Sequence, residues 1–178
     1  MSNTIAVWRS LRSIQARSWA AADEAMNKTA VIQMENPRAT GVSELIGALD
    51  SYLSGLYPPE SNHFLDLEQL AQPGIRFFVA RRDGLPVACG ALRVDPEGYG
   101  EIKRMYVIPE ARGEGLGRAI LGCIEEQAGR EGLRLLRLET GIHQTEAIAL
   151  YKSMGYSDCT PFGDYQEDPL SRFMEKRL

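Results

Sequence analysis

The chain reads as an α+β fold, with a mixed, mostly antiparallel central sheet of about seven strands flanked by helices. Three observations predict it. Short apolar runs recur along the chain with turn residues between them, as in Ile75 to Arg81, Asp83-Gly84 and Pro86 to Val94. Other stretches space their apolar residues by three and four, the helical period. One strand-like run, Ile102 to Ile108, passes through an Arg and three glycines into a helical pattern beginning near Leu116. The resulting order, β-α-α-β-β-β-α-β-α-β-β, joins hairpins to crossovers in one mixed sheet.

Each element has its own signal. Thr29 to Met34 is the first strand of the domain. Val42, Leu45, Ile46, Leu49 and Leu53 mark a helix from Val42 to Tyr57, broken by Pro58-Pro59. Leu65, Leu67 and Leu70 form a short second helix ended by Pro73-Gly74. Asp83-Gly84 turns a hairpin between the next two strands, and Pro96-Glu97-Gly98 leads to a fourth strand, Tyr99 to Val107. Leu116, Ile120 and Ile124 line one helix face, with Arg118, Glu125 and Glu126 turned outward and Gly129 and Gly132 at the end. Leu133 to Leu138 is a fifth strand. Thr145 to Met154 is a helix ended by Gly155, and Tyr156 to Cys159 and Ser171 to Lys176 make a last hairpin.

With 178 residues the simplest division is one domain, residues 29–178, preceded by an extension, residues 1–28. The extension holds Trp8, Arg9, Arg12, Arg17 and Trp19 and no acid before Asp23. It fits a helix packed on the domain or on a partner subunit (which would make a homodimer), a mobile tail, or a start site upstream of the true one at Met26 or Met34. It lacks the apolar core of a secretory signal. A formal charge of −4 leaves no basic footprint for nucleic acid, and no apolar run approaches the roughly 20 residues of a membrane span. Three cysteines, with no Cys-x-x-Cys, and two histidines speak against a disulfide framework or a zinc site and fit a reducing cytoplasm. Cys89 and Cys123 fall in apolar patterns and are expected in the core.

The glycine loop, Arg112-Gly113-Glu114-Gly115-Leu116-Gly117-Arg118, suits a pyrophosphate. Glycines let backbone approach an anion, and the first N–H groups of the following helix lack internal partners and sit at the positive end of its dipole. A Walker A loop would end in Gly-Lys-Ser/Thr, but Arg118-Ala119 follows Gly117. In the dinucleotide fingerprint the third glycine falls one position later.

Arg-x-x-Gly-x-Gly after a Val-x-Pro strand end resembles motif A of the GCN5-related N-acetyltransferases (GNAT), which bind acetyl-CoA. The element order over residues 29–178 is also that of their fold. Gln144-Thr145-Glu146-Ala147 through Tyr151 to Gly155-Tyr156 resembles the family's Asn-x-x-Ala-x-x-x-Tyr-x-x-x-Gly-Phe segment, with Gln for Asn and Tyr for Phe. Gly100 to Met105, Leu138 to Gly141 and Pro161 to Tyr165 resemble the bacterial YsnE-like acetyltransferases.

The resemblance implies acetyl transfer to a small amine or amino-acid-like acceptor, directly and in a ternary complex. Arg112, Gly113, Glu114, Gly115, Leu116, Gly117 and Arg118 would hold the pyrophosphate. Main-chain groups of Met105, Tyr106 and Val107 would pair with the pantetheine arm as an added strand, past a bulge that splays the fourth and fifth strands. Gln144, Ala147 and Tyr151 complete the acetyl-CoA site. The Val107 N–H would stabilise the oxyanion. Tyr151 would protonate the leaving thiolate, and Glu101, or else Glu139, would deprotonate the amine. The competing readings are plain ones: Arg112 paired with Glu110 or Glu114, Tyr151 packed in the core, and either glutamate paired with Lys103, Arg104 or Arg137. Pro58 to His63, His143 and Asp164-Tyr165 are placed toward the acceptor side, where Arg76, Lys103 or Arg104 could bind a carboxylate. Two rival functions stay open, acetylation of a protein and a catalytically silent CoA-binding module.

Overall fold

Residue alternation assigns the two faces of the sheet. The computed structural model describes residues 29–178, so the expectation for residues 1–28 lies outside the described residues. In β2 (Ile75–Arg82) Phe77 and Val79 pack on one face, and Phe78 and Ala80 on the other. On the first face lies α1 (Val42–Ser54), which buries Val42, Leu45, Ile46 and Leu49, together with Leu70 of the one-turn helix α2 (Leu67–Leu70). On the second lies α3 (Leu116–Arg130), which buries Leu116, Ile120, Leu121, Ile124 and Ala128. A fully buried side chain of this kind contributes about 2 kcal/mol, so α3 is anchored firmly beneath the loop that precedes it.

Seven strands run in the order β1-β2-β3-β4-β5-β7-β6. β1 (Val31–Met34), β2, β3 (Leu85–Val94) and β4 (Gly100–Val107) pair antiparallel in succession. The β2–β3 hairpin turns on Asp83 and Gly84, whose φ angles of 51° and 78° suit a two-residue loop. β5 (Leu135–Gly141) lies parallel to β4, and α3 makes the crossover that such a pairing requires. After α4 (Thr145–Ser153) come β6 (Ser157–Asp158) and β7 (Ser171–Arg177), and β7 inserts between β5 and β6.

One irregularity opens the sheet. Gly90 of β3 faces both Arg104 and Met105 of β4, because the register jumps from Cys89↔Tyr106 to Ala91↔Lys103. Arg104 stands at φ 59° in this bulge, a conformation that costs a non-glycine residue roughly 1–2 kcal/mol. The parallel β4–β5 ladder stops at Ile102↔Leu138. From Lys103 to Val107, β4 has no strand on its β5 side. Since the Ile108 N–H bonds to the Val87 carbonyl on the β3 side, the Val107 N–H points the other way, into the gap.

The elements agree with the sequence reading in order and type; several strand ends shift by one or two residues, and three larger details differ. The first helix ends at Ser54, where Gly55 bonds back to Ser51 and the Tyr57 N–H still bonds to the Leu53 carbonyl at 2.9 Å. β5 runs on to Gly141, because Glu139, Thr140 and Gly141 pair with Phe173, Arg172 and Ser171; that pairing is invisible in a locally polar stretch. Glu125 does not turn outward. Its carboxylate is largely covered and meets the Lys176 ammonium at 2.8 Å. Cys89 is buried and Cys123 packs against the core as expected.

Candidate active site

The gap between β4 and β5 is one end of a cleft of about 490 Å³, a volume suited to a sizeable organic ligand. Its floor is Met105, Tyr106 and Val107, and its far end is the loop before α3. Gly113 and Gly115 hold φ values of 77° and 83° there, which side chains disfavour, and a Cβ at either would meet nothing within 4 Å. The backbone of this loop therefore lies bare. Among the described residues no side chain caps α3, and no acid sits in its first turn, so its leading N–H groups are open to the cleft. Arg112 reaches back to donate to the Val107 carbonyl (3.2 Å), and its guanidinium lies 5.5 Å from the Tyr52 ring. Arg118 turns its guanidinium to Ser153 and Met154 at the end of α4.

A second, inner cavity of about 80 Å³ lies on the α1 side of β4. Leu49, Leu53, Tyr57, His63, Phe64, Lys103, Arg104 and Glu139 contribute to its walls. Four residues belong to both spaces: Leu49, Met105, Gln144 and Tyr151. Tyr151 is the polar hydroxyl at this junction. Burial raises its pKa above the usual phenol value, with the nearby Glu139 charge adding to the effect, so it holds its proton firmly. Gln144 precedes α4, and its side-chain oxygen accepts from Thr140 Oγ1 and the Gly141 N–H, both at 3.0 Å.

The two candidate bases part company here. Glu101, Lys103, Arg137 and Glu139 share the α1 face of the sheet, since the bulge comes after Lys103. Glu101 is only 1% exposed and lines neither cavity. It accepts from Tyr165 Oη (2.6 Å), pairs with Arg93 (2.8 Å) and lies 3.4 Å from Lys103. Glu101, expected as first choice of base, is thus engaged in ion pairs as the plain reading has it, with Lys103 among its partners. Glu139 borders the inner cavity and accepts a hydrogen bond from Ser171 Oγ (2.7 Å). Burial raises its pKa, against the lowering pull of Ser171, Lys103 and His63. A carboxylate held this way accepts a proton more readily than an exposed one.

Of the residues expected to hold the ligand, Met105, Tyr106, Val107, Arg112, Gly113, Gly115, Leu116, Gly117, Arg118, Gln144, Ala147 and Tyr151 all line the cleft. Glu114 does not; its side chain pairs with Arg82 instead of Arg112 or the cleft. On the acceptor side, Arg76 is spent on Glu131 at 2.7 and 3.0 Å, away from both cavities. His63 lines the inner cavity, edge-on to Tyr165 at 4.9 Å, and His143 lines the outer cleft, stacked on Tyr57 at 5.7 Å. Burial pushes the Cys89 thiol up to about 12, and none of Cys89, Cys123 and Cys159 lines either space.

Tyr57 escaped the sequence reading. Its ring packs on Gly141, and its hydroxyl accepts the His143 N–H (2.9 Å), a contact across 86 positions with no local trace. Leu49 and Leu53 were legible only as a helix face, and Phe64 carried no signal.

Comparison with known proteins bears on this geometry. Residues 44–156 match the model of the Acetyltransferase (GNAT) family. The chain is 55% identical to the IAA acetyltransferase of Azospirillum brasilense over 148 residues, covering 83% of this chain and 97% of that protein. It is 42% identical to the uncharacterized N-acetyltransferase YsnE of Bacillus subtilis over 123 residues, 68% of this chain and 82% of that one. Among solved structures it resembles a Klebsiella pneumoniae protein assigned to the acyl-CoA N-acyltransferases, with a TM-score of 0.72 and 38% identity over 85% of this chain and 99% of that one.

Proposed function

Since the chain belongs to the GNAT family of N-acetyltransferases, we propose that it uses acetyl-CoA to acetylate a small amine or amino-acid-like acceptor directly, in a ternary complex. One observation carries this reading: Tyr151 stands where a ligand-sized cleft and a small inner cavity meet. Two spaces joined at one proton-bearing hydroxyl suit two substrates bound together. The absence of cysteine from both walls gives no support to a covalent acetyl-enzyme.

Acetyl-CoA supplies the activated acyl group as a thioester. The bare Gly113–Gly115 backbone and the leading N–H groups of α3 bind its pyrophosphate, and the unpaired edge of β4 binds the pantetheine amides. The Val107 N–H, facing the gap, donates to the carbonyl oxygen as charge builds there, a contribution typically worth about 3 kcal/mol. Glu139 takes one proton from the incoming ammonium. Tyr151 gives its proton to the departing sulfur and regains one from the acylated nitrogen, so one C–N bond forms and one C–S bond breaks with protons in balance.

Calorimetric titration with acetyl-CoA, with NADH as control, tests the cleft; micromolar binding of the first alone is expected. Initial rates should give intersecting patterns, and parallel lines would overturn direct transfer. Tyr151→Phe should lower kcat about 10²-fold with little change in acetyl-CoA affinity. An unchanged kcat would return Tyr151 to the core.

The IAA acetyltransferase likeness, at 55% identity, supports a small-molecule acceptor over a protein one, as does the small size of the inner cavity beside the larger cleft.

A further inference from the structure

Resting on the acetyltransferase reading, we infer that Lys103 is the anion anchor of the acceptor site, so that the acceptor is an amine carrying a carboxylate or phosphonate. Of the three cations that the sequence places toward the acceptor, two are committed to carboxylates elsewhere. Arg76 is committed to Glu131. Arg104 lines the inner cavity, but the bulge turns its guanidinium onto Asp50, the Leu65 carbonyl and the Phe64 ring. Its charge is met by Asp50 of α1, and its second Nη holds the Leu65 carbonyl. Lys103 remains.

Lys103 is 10% exposed at its side chain and borders the inner cavity. Its ammonium has three N–H donors. One goes to Tyr165 Oη at 2.6 Å. Glu101 lies at 3.4 Å, and its charge is shared with Arg93 at 2.8 Å, nearer than Lys103. Two ammonium donors are thus left for a ligand, on a cation whose position is set by the Glu101–Tyr165 hydrogen bond. An ammonium is rarely buried without full partners. A ligand anion would complete this one.

Glu139 borders the same cavity and makes no ion pair within 4 Å among the described residues. The two charges give the cavity a polarity. An acceptor with an anion at one end and an ammonium at the other enters in one sense only. Its anion goes to Lys103, and its amine goes to the Glu139 carboxylate near Tyr151. The same contacts that recognise the anion therefore aim the amine at the junction of the two cavities.

The test uses the full chain, acetyl-CoA and matched acceptor pairs: glycine and aminomethylphosphonate against methylamine, L-phenylalanine against phenethylamine, and L-tryptophan against tryptamine, followed by thiol release. Anion-bearing members should be preferred at least tenfold in kcat/KM, and the carboxylate and phosphonate arms decide between the two anions. Lys103→Gln should cut that preference at least tenfold, chiefly through acceptor KM, and Lys103→Arg should restore most of it. A wild-type protein that uses plain amines as well as the acids, or a preference that survives Lys103→Gln, overturns the assignment. If no pair turns over, acetate and methylphosphonate are titrated against the CoA complex in a thermal shift assay. A rise in Tm that Lys103→Gln abolishes supports the anchor, and no rise in the wild-type protein overturns it. Loss of acetyl-CoA binding itself would instead sink the underlying acetyltransferase reading.

Discussion

Replacing Gly141 with Ala tests how the acceptor wall is built. Gly141 ends β5 with an ordinary strand φ, so its backbone suits alanine. In a strand without neighbours the change would stabilise by about 0.5–1 kcal/mol. Here the new Cβ would lie 2.1 Å from Tyr57 Cζ and 2.2 Å from its hydroxyl oxygen. Ordinary contact needs about 3.5–4.0 Å, so the ring must retreat roughly 1.5 Å. That movement breaks the hydrogen bond from the His143 N–H, now 2.9 Å. Overpacking costs about 1–3 kcal/mol and the lost bond about 0.5–1.5 kcal/mol. The two costs together are roughly 1.5–4.5 kcal/mol, so after the backbone gain the net effect is destabilisation, opposite in sign to the bare backbone effect. Urea unfolding should show a lower midpoint at constant slope. Acceptor KM should rise, because Tyr57 lines the inner cavity and not the outer cleft. Adding Tyr57→Leu to Gly141→Ala should cost less than the sum of the two changes by at least about 1 kcal/mol. A Gly141→Ala protein as stable as the parent would refute the reasoning.

Other outcomes follow from the same geometry. Gly115→Glu places a carboxylate, at φ 83°, where the leading N–H groups of α3 face the cleft; acetyl-CoA affinity should fall more than about 100-fold with the chain still folded, by titration and circular dichroism. Glu139 must be ionised to accept a proton, and burial raises its pKa. The acid limb of kcat/KM should therefore lie above the ordinary 4.5, rising with pH, and Glu139→Gln should abolish that limb. A raised carboxyl pKa favours folding below 4.5 and loses that contribution as pH climbs through the folded value. Glu139→Gln should accordingly match or exceed the parent's stability at neutral pH, by urea midpoint. Glu35 behaves oppositely: the Arg81 guanidinium holds its pKa below 4.5. Its contribution is complete above 4.5 and lost as pH falls through the lowered value, so Glu35→Gln should flatten the acid side of the stability curve.

The order of elements, the α+β class and nearly all of the lining of the outer cleft are legible in the sequence. Those features are local. Alternation in Phe77 to Ala80, the three-four spacing of Leu116, Ile120 and Ile124, and glycines at Gly113 and Gly115 each declare a backbone conformation within a few residues. A loop that bares its main-chain N–H groups needs nothing from further away. Tertiary structure alone decided the acceptor side. Glu101 and Glu139 look alike in sequence, two acids on apolar strands. Only the packing of Arg93, Lys103 and Tyr165 around the first, and of a cavity beside the second, tells them apart. The same holds for Tyr57 against Gly141, for Arg104 turned by the bulge onto Asp50, and for Lys103 left with unspent donors. Those contacts join positions 54 to 86 residues apart wherever they cross from loop to strand. The function of a side chain there is set by which neighbours satisfy its charge, and the chain does not write that down locally.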